Sequence, residues 1–238
     1  MCTQIDRGEG GTGLRERKND SIQVNGDLME AIISRHKVIA ILRNVPEKEL
    51  QAYVESLYEG GIRAFEVSFT TEHAGNQIDY IKQKLPGDSS VGAGTVLNER
   101  EAREAEAAGA DFMLSPSVCQ KVMEYCAKQK IAYMPGVLTP SDVSLSLSYG
   151  FHVLKLFPAN VFSVSYRNSL KGPFPQAEFV AVGGVSLKNA SEYLKNGFVG
   201  VGIGSSLVKE ELLLGKRWEM VASDIKVQLE RLRKEGLL

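Results

Sequence analysis

"HVLKLFPAN", residues 152–160, reads as a hydrophobic β-strand running into a proline, except that Lys155 stands in its middle. Lysine is almost never fully buried without a partner, so the run is a strand only if the fold has a use for an interior amine. The neighbouring runs decide the matter. "VIAIL" (38–42), "AFEVS" (64–68), "SVGAG" (90–94), "DFMLS" (111–115), "IAYMP" (131–135), "EFVAV" (178–182) and "VGVGI" (199–203) join "HVLKLF" (152–157) to make eight, recurring every 20 to 26 residues. That interval is one strand plus one returning helix.

The intervening segments carry helix signals. Leu50, Val54 and Leu57 fall at helical spacing before a Gly60–Gly61 stop, Asn98 caps an alanine-rich run ending at Gly109, and "TPSD" opens a helix at Thr139. Trp218, Val221, Ile225, Leu229 and Leu232 trace one face of a closing helix. Eight regular βα units predict an α/β fold, a single (β/α)8 barrel, over an open doubly wound sheet, and no GxGxxG follows the first run. Asp27 is a candidate N-cap for an added N-terminal helix whose apolar side is Leu28, Ile32 and Ile33. Residues 1–26, glycine- and charge-rich with few large apolar side chains, are expected to form a flexible tail ahead of a barrel over 27–238.

Composition narrows the function. A net charge of −1 gives no basic surplus for nucleic acid or an anionic membrane. No apolar run approaches the ~20 residues that cross a bilayer, and the start of the chain lacks a secretory core, so the cytoplasm is the expected location. Cys2, Cys119 and Cys126 are expected as free thiols, and His36, His73 and His152 show no paired ligand spacing, so neither a metal nor any other cofactor is expected.

Strands of a parallel barrel are covered on both faces and should be apolar. Arg43 ends "VIAILR", Glu66 interrupts "AFEVSF" and Lys155 interrupts "HVLKLF". An unpaired charge taken from water costs several kcal/mol, so these groups should meet each other or a ligand. A purely structural Lys155–Glu66 ion pair is one reading. The functional one makes Lys155 an amine nucleophile, since withdrawal from water favours the neutral form that attacks a carbonyl. Glu66 then moves protons, and Arg43 offers a planar fork to a substrate carboxylate. "VGG" (182–184) and "GIGSS" (202–206) follow the seventh and eighth runs, where barrels bind phosphate through backbone N–H groups.

Taken in order, "GGIRAFEVSFTT", "VGAGTVLN", "LSPSV", "MPGVLTPSD", "LKLFPA", "KGPFP", "AVGGVS" and "GIGSSLV" resemble the KDPG/KHG aldolase family across about residues 28–210. The resemblance implies a metal-independent class I aldolase, a homotrimer, with Lys155 as Schiff-base lysine and Glu66 as general acid/base. Thr95, Pro116 and Phe157 would line a pyruvate pocket. Gly183, Gly184, Gly204 and Ser205 would receive the phosphate of a keto sugar acid. The chain departs from the family pattern at Thr70, where some members carry arginine and Arg43 is the substitute, and at Ser163 and Asn168 of the sixth loop. Val182 resembles the galactonate-type pattern. Rival readings are a sugar-phosphate isomerase or epimerase, and a non-catalytic sugar-acid binding protein.

Overall fold

Each of the eight runs becomes a strand, and every pairing is parallel. The computed structural model describes residues 27–238; the N-terminal tail expected over 1–26 lies outside the described residues. The strands are β1 (Val38–Leu42), β2 (Ala64–Ser68), β3 (Ser90–Gly94), β4 (Phe112–Leu114), β5 (Ala132–Met134), β6 (Gly136–Val137), β7 (Val153–Leu156), β8 (Glu178–Val182) and β9 (Gly200–Ile203). They form one sheet in the order β5-β4-β3-β2-β1-β9-β8-β7-β6.

Nine segments make eight staves, because the fifth run is cut in two. Pro135 has no N–H to give to a ladder, so β5 pairs with β4 on one side and β6 with β7 on the other. The Pro135 carbonyl still accepts the Lys155 N–H at 2.9 Å. The two ends of the strand order are thus successive pieces of one stave, and the cylinder closes as the sequence predicts.

Helices return between the strands: α1 (27–35), α2 (Glu47–Glu59), α3 (Ala74–Lys84), α4 (Glu99–Ala107), α5 (Gln120–Gln129), α6 (Pro140–Ser148), α7 (Tyr166–Lys171), α8 (Ala190–Lys195), α9 (Glu210–Leu214) and α10 (Trp218–Lys234). Their starts follow the local chemistry. The Asn98 side chain accepts the Glu101 N–H at 3.0 Å, and Thr139 and Asp142 form a reciprocal capping box. Helix α10 lies against α2, and a Cβ at Gly60 would come 2.9 Å from the Ile225 Cβ.

Side chains alternate between two cores, as a period of two requires. Phe65, Val67, Ala93, Met113, Leu154, Leu156, Phe179 and Ile203 face the helices. Ile39, Ile41, Ala64, Phe112, Leu114, Met134, Val153, Val180 and Val182 fill the lumen, and Met29, Ile32 and Ile33 of α1 join them, closing the N-terminal end. Leu28, read from the sequence as part of that apolar side, is 39% exposed while Met29 is sealed. A spacing of four links Leu28 to Ile32, and spacings of three and four link Met29 to Ile32 and Ile33, so helical spacing alone admits either residue and docking on the barrel selects Met29.

Candidate functional site

The alternation that fills the lumen also settles where the charges point. Glu66 shares a face with Ala64, and Lys155 shares one with Val153, so both side chains enter the lumen. Their exposures are 1% and 4%, and Lys155 Nζ lies 3.9 Å from Glu66 Oε1. Neither Glu66 oxygen has a hydrogen-bond partner among the described residues. Buried polar atoms are nearly always paired, so a carboxylate left open beside an amine is ready for a proton or a bound water. Lys155 Nζ also lies 5.3 Å from the ring centroid of Phe157, close enough for a cation–π contact.

The Glu66 carboxylate fits because β3 leaves it a notch. A Cβ on Gly94 would lie 1.7 Å from Glu66 Oε1, so no side chain is tolerated there. Nothing in the glycine-rich "VGAGT" pointed to that contact, which joins two strands. Gly94→Ala is therefore expected to cost about 3 kcal/mol or more through overpacking, read as a lower urea midpoint, and to remove activity with it.

Thr95, next in the chain, is half-buried with a φ of 58°. A β-branched residue seldom adopts this left-handed region, and holding it there costs of order 1–3 kcal/mol. Its Oγ1 is 3.0 Å from Ser68 Oγ, which is 3.0 Å from Thr70 Oγ1. Ser68, buried two residues after Glu66, thus ties the ends of β2 and β3 together; its residue type gave no such signal. Pro116 is half-buried just past β4.

Beside the pair, at the C-terminal strand ends, opens a cavity of about 660 Å³ whose lining includes Ile41, Arg43, Phe157, Val182, Gly183, Gly184, Gly204 and Ser205. Lys155, Glu66, Thr95 and Pro116 are not part of that lining, and Phe157 is the side chain that belongs to the cavity and also touches Lys155. Gly183 and Gly184 have φ of 97° and 70°, and a Cβ at Gly184 would lie 2.5 Å from Asn160 Cβ, so the turn after β8 turns main chain toward the cavity where a side chain cannot fit.

Arg43 differs from the expectation of a charge inside a dry strand. It follows the last residue of β1 and is exposed at the rim, with no ion pair among the described residues. Its place at the rim, in one cavity lining with the glycine turns, comes from the strand ending at Leu42. Thr70, Ser163 and Asn168 are exposed, whereas Val182 is buried and lines the cavity. His73 is exposed ahead of α3, and half-buried His152 meets Glu30 at 3.1 Å. Cys119 and Cys126 are free, and burial pushes the Cys126 thiol well above the ordinary range, so it stays protonated.

The family pattern described as KDPG and KHG aldolase matches residues 29–223. The chain is 34% identical to the 2-dehydro-3-deoxy-phosphogluconate aldolase of Dickeya dadantii over 69% of its own length and 78% of that protein. It is 33% identical to a probable 2-dehydro-3-deoxy-6-phosphogalactonate aldolase of Rhizobium meliloti over 75% of its length and 84% of the relative. A crystal structure of the Legionella pneumophila KDPG aldolase, with pyruvate captured as a covalent carbinolamine, superposes with a TM-score of 0.77 at 28% identity, covering 84% of this chain and 97% of that one. Sequence motifs, barrel and matches agree, and the chain belongs to the KDPG/KHG aldolase family of lyases.

Proposed function

We propose that this protein is a class I, metal-independent aldolase that cleaves a 2-keto-3-deoxy-6-phospho sugar acid to pyruvate and glyceraldehyde 3-phosphate through a Schiff base on Lys155. The observation that carries the reading is the sealed pair itself: an amine 3.9 Å from a carboxylate whose two oxygens have no other partner among the described residues. A lumen that needed only a structural ion pair would hydrogen-bond those oxygens.

The chemistry follows from the groups. The Lys155 amine adds to the C2 ketone, giving a carbinolamine of the kind held in the Legionella enzyme, and loss of water gives an iminium. The cationic nitrogen accepts the electron pair as the C3–C4 bond breaks, so no Lewis acid is required. The C4 hydroxyl proton passes to Glu66, directly or through a water, and glyceraldehyde 3-phosphate leaves. The enamine is protonated at C3, and hydrolysis frees pyruvate and Lys155. Thr95, Pro116 and Phe157 surround the pyruvate moiety in this scheme. Gly183, Gly184, Gly204 and Ser205 take the phosphate end, and Arg43, lining the same cavity, supplies positive charge to an acidic group of the substrate.

Val182 supports a second reading within the reaction, the galactonate epimer, because it lines the cavity and matches the galactonate-type pattern. Assaying both C4 epimers beside 4-hydroxy-2-oxoglutarate ranks them by kcat/KM. The Schiff base is tested by borohydride reduction with pyruvate and peptide mapping. A reduced pyruvate adduct on the Lys155 peptide is expected; ligand binding without any adduct returns the isomerase and binding-protein readings. We further infer a cytoplasmic homotrimer. No described helix is long and apolar enough to cross a membrane, and Val161 and Phe162, exposed on the loop after β7, are apolar surface of the kind a second subunit covers.

A further inference from the structure

Tyr53 projects from α2 into the wall of the 660 Å³ cavity, and the scheme above gives it no task. It is 8% exposed, yet its hydroxyl has no hydrogen-bond partner among the described residues. Buried tyrosine hydroxyls usually find one. Nor is this oxygen wholly sealed: the fully enclosed side-chain atoms without a partner are both oxygens of Glu66, Thr71 Oγ1 and Arg167 Nε. Tyr53 itself is part of the cavity lining. The ring packs against Trp218 in a T-shaped contact, with centroids 6.2 Å apart and planes at 90°. Burial raises its pKa to about 12, which keeps it a neutral O–H donor at any ordinary assay pH.

The rest of the wall specifies what such a donor would meet. Arg43 contributes a guanidinium, and the Gly183–Gly184 and Gly204–Ser205 turns contribute main chain. Ser206, also in the lining, has its hydroxyl committed to the Val185 carbonyl at 2.5 Å. Glu210, exposed at the rim, is the lining's one carboxylate and does not bond Tyr53. An O–H donor sharing a cavity wall with a guanidinium and glycine turns is the chemistry that recognises a multiply charged oxyanion.

We propose that Tyr53 is a substrate-binding residue whose hydroxyl donates a hydrogen bond to a terminal phosphoryl oxygen, so that it sets the preference for phosphorylated over unphosphorylated keto acids. The inference rests on the aldolase reading for the identity of the substrate, and Trp218 is a positioning residue for it.

The test compares the full chain with Tyr53→Phe, which keeps the ring and its contact with Trp218. Calorimetric binding of glycerol 3-phosphate is expected to weaken about tenfold, the usual consequence of losing one hydrogen bond to a charged group. In turnover, KM for the phosphorylated substrate should rise by a similar factor with kcat unchanged, while KM for the unphosphorylated 2-keto-3-deoxy sugar acid stays the same. Equal glycerol 3-phosphate affinity in the two proteins, no binding by the wild type, or an equal rise in KM for both substrates would overturn the proposal. Failure of the aldolase reading shows elsewhere, as absence of the pyruvate adduct on Lys155, because glycerol 3-phosphate binding does not use that amine.

Discussion

Lys155→Met is expected to abolish both the borohydride-trapped pyruvate adduct and turnover, with kcat falling by about 10⁴-fold or more, as befits loss of a covalent nucleophile. Methionine is the informative choice because Lys155 is 4% exposed and its stem fills the lumen; a shorter residue would confuse lost chemistry with a cavity. In register Lys155 lies between Gly136 of β6 and Val180 of β8, and a thioether chain of similar length fills the same part of the lumen. Removing the cation leaves Glu66 buried beside an apolar group, so a loss of about 3 kcal/mol in urea unfolding is expected as well. Circular dichroism in the absence of urea should still show a folded barrel. A folded variant that kept measurable aldol cleavage with an adduct on another lysine would remove Lys155 from the chemistry.

Glu66→Gln separates the two members of the pair. Glutamine has the shape of glutamate and fits the notch above Gly94, where only 1.7 Å separates Glu66 Oε1 from a would-be Cβ. It cannot accept and return a proton. The variant should therefore still yield the reduced pyruvate adduct, since capture of the ketone belongs to Lys155, while cleavage slows by about 10²–10⁴-fold. Loss of the adduct together with turnover would mean that Glu66 acts by holding the lysine, as in the structural ion-pair reading. Full turnover would exclude it from proton transfer.

These two residues were legible because each breaks a rule that the rest of its strand obeys. A lone charge in a run buried on both sides signals a use, and the period of two assigns Glu66 to the side of Ala64 and Lys155 to the side of Val153. Arg43 shows where the same logic overreaches. It looks like the third interior charge in "VIAILR", but β1 ends at Leu42, one residue earlier, and the side chain is exposed. Strand ends depend on which neighbours continue the ladder, and that is invisible in a single run. Tyr53 lay hidden for the opposite reason. On α2 it reads as one more residue of an apolar helix face, and only the folded structure packs it on Trp218 of the closing helix and places it in the cavity wall.

By itself the sequence determined the number of βα units, the helix starts at Asn98 and Thr139, and the presence of a lone lysine and a lone glutamate in apolar strands, because these follow from local periodicity and capping chemistry. Tertiary structure alone decided that the fifth stave divides at Pro135, that Met29 rather than Leu28 closes the barrel floor, and that Gly94 makes room for a carboxylate from the next strand. Each of those depends on contacts between segments far apart in the chain. The 3.9 Å between Lys155 and Glu66 is of the same kind: it exists only once the sheet has closed and turned two strand faces toward one another across the lumen.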